Sequence, residues 1–283
     1  MISVYLMGGL GNLLFQVSLA LVIGRRNNNK VEYYKYINSY IDKRKNITEY
    51  SIFRNLEIIN KDVKSDNFMI IRENSFEYDE KISNIKLDNR YQYLLFGYFQ
   101  SYKYIIEDRE YIINKLENKY EKEIEEKMNK IKEKYNNKKI VSIHVRRGDY
   151  LNLPDYHYNL SDKYYNNAIK KYDIENTVFI IFSDDVEYIK NDFIKNVNIK
   201  YKEIIEDNNE ERSLWIMSSC KDGHILANSS FSWWGDYLNM NKEKIVCCPV
   251  RWFGDKGMKY KIFDIFPILE SGKYGKYYLV DDK

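Results

Sequence analysis

The sequence predicts an α/β protein made of parallel βαβ units in two halves. The first half opens with a short apolar strand, "ISVYLM", a glycine turn, and an apolar helix that ends in two basic residues. In the second half, strand-like and helix-like segments alternate, which is typical of a parallel sheet. These segments are "IVSIHV", "DKYYNNAIKKY", "NTVFIIFS", "VEYIKNDFI", "ERSLWIMSSC" and "HILANS".

A charged helical segment between residues 104 and 139 is the best candidate for an inter-domain connection. It contains "KLENKYEKEIEEKMNKIKEKYNNKK", a charge run typical of a solvated helix face. We therefore predict an N-terminal α/β domain over residues 1–138 and a C-terminal Rossmann-like domain over residues 139–283.

The composition predicts a cytoplasmic protein with a substantial core. Of the 283 residues, 45 are basic and 42 acidic, a balance that argues against a nucleic-acid binder. The three cysteines show no metal-ligand spacing and favour a reduced compartment. The apolar N-terminus lacks a basic region and is interrupted by glycines, so we expect neither a signal peptide nor a transmembrane helix.

The first motif, "GGLGN" at residues 8–12, lies between a predicted strand and a predicted helix. Amides at a helix N-terminus attract phosphate, and glycine allows a ligand to approach closely. A dinucleotide fingerprint requires a third glycine where this chain has Leu14, although Glu32 could serve as the ribose-binding acid. A nicotinamide-cofactor site and a turn without a ligand both remain open for this motif.

The second motif, "HVRRGD" at residues 144–149, places two arginines at the end of a buried strand. Adjacent side chains in an extended segment point to opposite faces, so Arg146 and Arg147 are expected to have different roles. His144 shares the parity of Arg146, and this pair is expected to face a ligand beyond the strand. The other arginine would pair with an internal carboxylate. A purely structural ion-pair cluster is the alternative. However, the motif has two arginines and only one local aspartate, Asp149, so one positive charge has no local partner.

The third motif, "FIIFSDD" at residues 179–185, ends a strand with Asp184 and Asp185. Two carboxylates can bind a divalent metal, and they can equally cap the next helix. Capping is favoured because no further ligand cluster is visible.

The fourth motif, "ANSSFSWWGDYL" at residues 227–238, gathers small polar groups where a helix begins. Hydroxyl and amide groups there are suited to anion binding, and an ordinary helix start is the alternative. The polar residues are Asn228, Ser229, Ser230 and Ser232.

Taken in this order, the motifs resemble the alpha-1,2-fucosyltransferases of glycosyltransferase family 11. The resemblance runs along the chain, and "HVRRGDY" together with "ANSSFSWW" is its most specific part. The other matching segments are "GGLGNLLFQ", "GYFQSYKYI", "YYNNAI", "FSDD", "MSSC" and "PVRWF".

The resemblance implies a GT-B type architecture, with two Rossmann-like domains facing across a cleft and no catalytic metal or cofactor. It also implies GDP-fucose as the donor, a glycan acceptor, and inverting transfer to the 2-hydroxyl of a galactoside. Two departures stand out. Ser213 replaces an aspartate that the resemblance places at the guanine, and Asp236 lies where a small residue is more usual.

The resemblance also implies roles for individual residues. Arg146 should bind the β-phosphate of the donor, and His144 and Asp149 should shape the same pocket. Ser230, Phe231 and Ser232, with Asn228 before them, should contact the diphosphate, whereas Gly11 and Asn12 should lie near fucose and acceptor. The candidates for the general base, by nearness to the "HVRRGD" motif, are Asp149, Asp155 and His157.

Three rival functions remain at this stage: a metal-dependent glycosyltransferase using Asp184 and Asp185, a transferase using another nucleotide sugar, and a non-catalytic nucleotide-sugar or dinucleotide-binding protein.

Overall fold

A computed structural model of the protein describes residues 1–37, 47–63, 67–257, 264–270 and 272–282. The chain forms two compact units, Met1–Lys119 and Tyr120–Lys283. Both contain parallel sheets, so the predicted α/β class is confirmed.

Among its described residues, the first unit has five parallel strands. One sheet has the strand order β1-β5-β4, β2 pairs with β3, and a parallel bridge between Ile2 and Val31 joins the two groups. The elements are β1 (Ile2–Val4), α1 (Leu10–Arg26), β2 (Tyr33–Ile37), β3 (Ile58–Val63), β4 (Met69–Arg72), α2 (Glu80–Ser83), β5 (Tyr93–Phe96) and α3 (Arg109–Ile113).

Helix α1 is the central helix of this unit. Of positions 10–24, all except Asn12 are buried, as expected for a helix that is apolar on nearly all faces. At its C-terminal end, Arg25 and Arg26 pair with Asp108 at 3.2 and 2.8 Å, where cations also complement the helix dipole.

The second unit is a six-stranded parallel sheet flanked by helices, with the strand order β11-β10-β9-β6-β7-β8. Its elements are α4 (Glu121–Lys134), β6 (Lys139–Val145), α5 (Asp162–Ile169), β7 (Thr177–Ser183), α6 (Val186–Tyr188), α7 (Ile194–Asn196), β8 (Tyr201–Ile204), α8 (Glu210–Ser218), β9 (Gly223–Ile225), α9 (Ser230–Leu238), β10 (Ile245–Pro249) and β11 (Lys276–Val280).

The unit boundary falls before α4 rather than after it, which corrects the predicted division at residues 138 and 139. Helix α4 buries Ile124, Met128 and Ile131 along one face and exposes its charged residues. Glu123 on this helix pairs with Arg212 of α8 at 3.1 Å. The charge run is therefore a solvated helix face, as predicted, but the helix is part of the second unit.

A buried ion pair explains the unusual Asp236. The Lys244 ammonium group is fully buried and lies 2.6 Å from Oδ1 of Asp236. It also donates hydrogen bonds to the backbone carbonyls of Asp236 and Asn239, both at 2.6 Å, and the Tyr277 hydroxyl donates to Asp236 Oδ2 at 2.8 Å. This network joins the end of α9 to β10 and β11.

Within the described ranges, no helix combines the length and the apolar character needed to cross a bilayer.

Candidate functional site

The charged residues of the second and third sequence motifs meet at one edge of the second unit's sheet. Strands β6 and β7 are paired in parallel, with Val145 opposite Ser183. The loop after β6 therefore lies beside the loop after β7, at the carboxyl ends of the strands. Open α/β sheets bind their ligands at this edge.

Arg146 is held by two carboxylates. Its Nη2 lies 2.6 Å from Asp149 Oδ1, and its Nη1 lies 2.8 Å from Asp184 Oδ2. Its guanidinium carbon lies 5.2 Å from the centre of the Tyr150 ring. Its buried Nε has no hydrogen-bond partner among the described residues. The group thus keeps one donor that the protein does not use.

Arg147 has a different role, as the strand parity predicted. Its Nε lies 3.2 Å from Asp185 Oδ2, and its guanidinium packs 3.5 Å from the centre of the Tyr188 ring. Asp185 also accepts a hydrogen bond from the Tyr188 backbone N–H at 3.0 Å and so caps α6, which confirms the capping prediction. Arg147 therefore fixes the loop to the next βαβ unit.

The inference that positive charge is left over in this motif is wrong. It counted one carboxylate beside two arginines, whereas Asp184 and Asp185 bring the number to three. Strand pairing brings these two aspartates to the motif from 37 and 38 residues away. Any anion that binds Arg146 must therefore compete with carboxylates already in place.

Asp184 also fixes the backbone of the motif. Its Oδ1 accepts a hydrogen bond from the Arg147 N–H at 2.9 Å. At Gly148, a Cβ atom would lie 2.3 Å from Asp184 Oδ2, so a larger residue would displace this carboxylate. Glycine at position 148 therefore lets the Asp184 carboxylate approach the backbone of the motif closely.

His144 is a buried histidine with an unused ring nitrogen. It is 5% exposed, its ring centre lies 5.5 Å from that of Phe231, and its Nδ1 has no hydrogen-bond partner among the described residues. Burial, reinforced by the positive charge of Arg146, lowers the pKa of His144 to about 3. The imidazole is therefore neutral at physiological pH, and its Nδ1 can donate one hydrogen bond to a ligand or accept one from it, depending on the tautomer.

The start of α9 lies beside His144 and supplies backbone N–H groups. Ser229 is the N-cap, and its side chain accepts a hydrogen bond from the Phe231 N–H at 3.3 Å. Ser230 and Phe231 are half-buried. A helix N-terminus of this kind favours anions because its first N–H groups lack helical partners.

Two of the predicted ligand contacts instead shape this turn. The Ser232 hydroxyl is fully buried and lies 3.1 Å from the carbonyl oxygens of Ala227 and Ser229. The Asn228 amide donates to the carbonyls of Tyr158 and Trp252, both at 2.8 Å. Both donor groups are used within the protein, which leaves Ser230, Phe231 and the helix amides as the parts of this segment that can face a ligand.

The candidate bases lie in or near the loop after β6. His157 stacks on Tyr150 with ring centres 4.0 Å apart, and burial lowers its pKa. Asp149 is paired with Arg146, and Asp155 is paired with Lys256 at 2.8 Å. Each candidate is therefore already in contact with another side chain, and Asp155 is largely exposed.

The glycine motif of the first unit forms a turn at the end of β1. Gly8 has φ of 86°, a conformation that favours glycine, and Gly11 is buried in the first turn of α1. Asn12 accepts a hydrogen bond from the Gln100 side chain at 2.7 Å. The Glu32 carboxylate lies 2.6 Å from the Lys30 ammonium and accepts from the Tyr34 hydroxyl at 2.8 Å, so it is engaged within the unit.

Sequence reasoning missed Glu73. This residue follows β4, at the sheet edge where the glycine turn follows β1. Its carboxylate accepts hydrogen bonds from the N–H groups of Tyr98 and Phe99 at 2.7 and 2.8 Å. Burial raises its pKa to about 7, even though the two hydrogen bonds favour the ionised form. An acid directly after the short strand-like segment "MIIR" was the available signal.

Within the described ranges, no group of three or more His, Cys, Asp or Glu residues is arranged to hold a metal ion.

Both units contain parallel sheets, and the second unit's sheet ends in an edge lined by charged side chains and by the N–H groups that start α9; comparison with known structures identifies the fold. The chain superposes on fucosyltransferase NodZ from Bradyrhizobium with a TM-score of 0.52 at 10% identity, covering 84% of this chain and 93% of that one. This likeness confirms the GT-B type α/β fold.

The chain belongs to Glycosyl transferase family 11, whose sequence pattern matches residues 1–266. Two relatives come from Escherichia coli. The O-antigen biosynthesis glycosyltransferase WbnK is 33% identical over 189 residues, which are 62% of this chain and 61% of the relative. An alpha-1,2-colitosyltransferase is 40% identical over 122 residues, 40% of this chain and 41% of the relative. The matches thus span less than two thirds of either relative.

Proposed function

We propose that the protein is an inverting glycosyltransferase that moves fucose from GDP-fucose to the 2-hydroxyl of a galactoside without a catalytic metal. Membership of family 11 supports sugar transfer, and the colitosyltransferase relative supports an alpha-1,2 linkage. The observation that carries the proposal is the grouping of His144, Arg146 and the start of α9 at one sheet edge, each with a hydrogen-bonding group suited to a diphosphate.

The chemistry requires stabilisation of a leaving diphosphate. As the bond between the anomeric carbon and the β-phosphate oxygen breaks, its electron pair moves to that oxygen and negative charge grows there. Arg146 remains ionised and can fork onto two oxygens, and the N–H groups that start α9 add fixed dipoles. Donors aimed at charge that develops in the transition state raise the rate rather than only the affinity.

When the diphosphate binds, it must replace one of the two carboxylates that contact Arg146. Asp149 has a side chain about half exposed, whereas that of Asp184 is 25% exposed and also holds the Arg147 backbone. Asp149 is therefore the partner that yields to the diphosphate, and Asp184 keeps the guanidinium oriented. His144, being neutral, contributes its free Nδ1 to the same pocket without repelling Arg146.

A second candidate function uses a different donor. The relative with 40% identity is a colitosyltransferase, so a donor carrying colitose in place of fucose is the specific alternative. Ser213, buried in α8, replaces an aspartate that the family resemblance places near guanine. A donor with another base is therefore part of the same test.

The test is a donor screen in which thermal shift and product formation are measured with and without EDTA. The panel contains GDP-fucose, a colitose donor, GDP-mannose, UDP-galactose and NAD, with galactosides as acceptors. Bound ligand raises the unfolding temperature by mass action. Fucosyl transfer that survives EDTA supports the proposal. Transfer from a different donor alone, or transfer abolished by EDTA, would overturn the donor or the metal-independent chemistry respectively.

A further inference from the structure

The loop after β6 folds back on the "HVRRGD" motif. Its first residues, Gly148–Asn152, form a 3₁₀ turn, and the His157 N–H donates to the Leu153 carbonyl at 2.9 Å. His157 also forms an antiparallel bridge with Phe253. These backbone contacts hold His157 at a fixed place beside the motif.

The His157 side chain covers one face of the Tyr150 ring. The two rings are parallel to within 7°, and their centres lie 4.0 Å apart. The Tyr150 hydroxyl donates to the Asn228 carbonyl at 3.0 Å, and the Asn159 amide donates to the Tyr150 carbonyl at 3.3 Å. Tyr150 is therefore held at its ring face, at its hydroxyl and at its backbone.

The Arg146 guanidinium lies next to this stack. Its carbon is 5.2 Å from the centre of the Tyr150 ring. Because His157 occupies one face of that ring, the guanidinium must lie over the other face or at the ring edge. A cation within about 6 Å of a ring centre is attracted by the ring. A displacement of Tyr150 would therefore also displace Arg146.

Diphosphate binding increases the importance of this contact. When the diphosphate replaces Asp149, Arg146 keeps the carboxylate contact of its Nη1 with Asp184, at 2.8 Å. One contact at one end of the guanidinium leaves its plane free to rotate about that contact. The Tyr150 ring restricts this rotation.

We propose that His157 is a positioning residue, which holds the guanidinium plane of Arg146 through Tyr150 while the diphosphate replaces Asp149. The assignment rests on the proposed function and removes His157 from the candidate bases. It requires the ring surface of His157 and neither of its nitrogens. Burial lowers the pKa of His157, so at physiological pH the imidazole adds no positive charge beside Arg146.

The experiment compares His157→Phe and His157→Ala with wild type. Phe keeps an aromatic face without a nitrogen, whereas Ala removes the ring. Tyr156→Ala, at an exposed position of the same loop, is the matched control for loss of an aromatic side chain. We measure kcat for transfer, donor KM, GDP affinity by calorimetry, and thermal unfolding. His157→Ala should lose at least about 10-fold in kcat, whereas His157→Phe and Tyr156→Ala should stay within about threefold of wild type.

A double-mutant cycle tests whether His157 acts through Arg146. GDP affinity is measured for wild type, His157→Ala, Arg146→Ala and the double variant. His157→Ala should weaken GDP binding at least about threefold when Arg146 is present and less than about twofold when it is absent, because only contacting groups are coupled.

Three outcomes would overturn the assignment. Wild-type kinetics and GDP affinity in His157→Ala would show that the stack is dispensable. If His157→Phe were as inactive as His157→Ala, a ring nitrogen would be the group required. An equal loss of GDP affinity with and without Arg146 would make His157 only an anchor of the loop. If the wild type transfers no sugar from any donor, the proposed function fails, and the GDP cycle still decides whether His157 positions Arg146.

Discussion

The Asp184 carboxylate lies 2.8 Å from the guanidinium of Arg146, across two adjacent parallel strands. The same carboxylate accepts the Arg147 N–H and leaves no room for a side chain at Gly148. Three consecutive residues of the motif are thus positioned by one acid from the neighbouring βαβ unit. Asp184 is therefore a positioning residue for the arginine that we propose binds the diphosphate.

Replacing Asp184 with Asn should reduce kcat/KM for transfer on the order of 100-fold, because a misplacement of about 1 Å at a reacting group costs that much. The neighbouring substitution Asp185→Asn is the control. Asn also caps helices, and the ion pair with Arg147 is half-exposed, so less than about 1 kcal/mol of stability should be lost. Equal kinetic effects of the two substitutions would contradict the positioning role, and initial rates with the cognate donor decide between them.

Arg146→Lys should be nearly as inactive as Arg146→Ala, with a loss of at least about 100-fold in kcat. A lysine keeps the charge, but it cannot fork onto two oxygens or contact Asp184 and a phosphate in one plane. Kinetics at saturating donor, together with GDP affinity, measure the effect. Near-normal turnover by Arg146→Lys would show that charge alone is sufficient.

The sequence predicted those parts of the fold that depend on local pattern, and it failed where distant strands meet. Helix α1 and the alternating elements after β6 follow from periodicity. The carboxylates around Arg146 do not, because Asp184 and Asp185 reach the motif only through the pairing of β6 with β7.

The omission of Glu73 has the same cause. Glu73 follows β4 and meets Tyr98 and Phe99 because β4 pairs with β5, with Arg72 opposite Phe96. Helix α4 was assigned to a connection because its partner Arg212 lies 89 residues away. Each missed feature depends on a contact between residues that are far apart along the chain. The motif residues themselves were correctly located at strand ends.

His144 should make the protein less stable as the pH falls. Its pKa is lowered to about 3 in the folded state, while the unfolded chain takes up a proton below about pH 6.5. The unfolded state therefore binds more protons between these values, and stability is lost as pH falls through that window. At pH 5 the loss from this residue should be about 2 kcal/mol.

The measurement is urea denaturation of wild type and His144→Gln at pH 7.5 and pH 5. The variant lacks the titrating group, so its loss of stability between the two pH values should be smaller by about the same 2 kcal/mol. Identical losses would mean that His144 is protonated in the folded protein.

Glu73 should make the stability of the protein depend on pH in the opposite direction from His144. Burial raises its pKa to about 7, so between about pH 4.5 and 7 the folded state holds a proton that the unfolded chain releases. Stability contributed by this group is therefore present at low pH and lost as pH rises through the window, by up to about 3 kcal/mol. Denaturation of Glu73→Gln across the same range should lack this decline. An unchanged decline in the variant would show that the carboxylate is already ionised at pH 5.

Lys244→Met should destabilise the second unit by about 3–5 kcal/mol, because it leaves the Asp236 carboxylate buried without its cation. The Tyr277 hydroxyl alone cannot compensate the negative charge. The double variant Lys244→Met/Asp236→Asn removes the charge as well and should recover much of that loss, since a buried ion pair contributes little net stability. Denaturation of the two variants at one pH tests this. Equal destabilisation would mean that the hydrogen bonds from Lys244 to the carbonyls of Asp236 and Asn239, rather than its charge, hold α9 against β10 and β11.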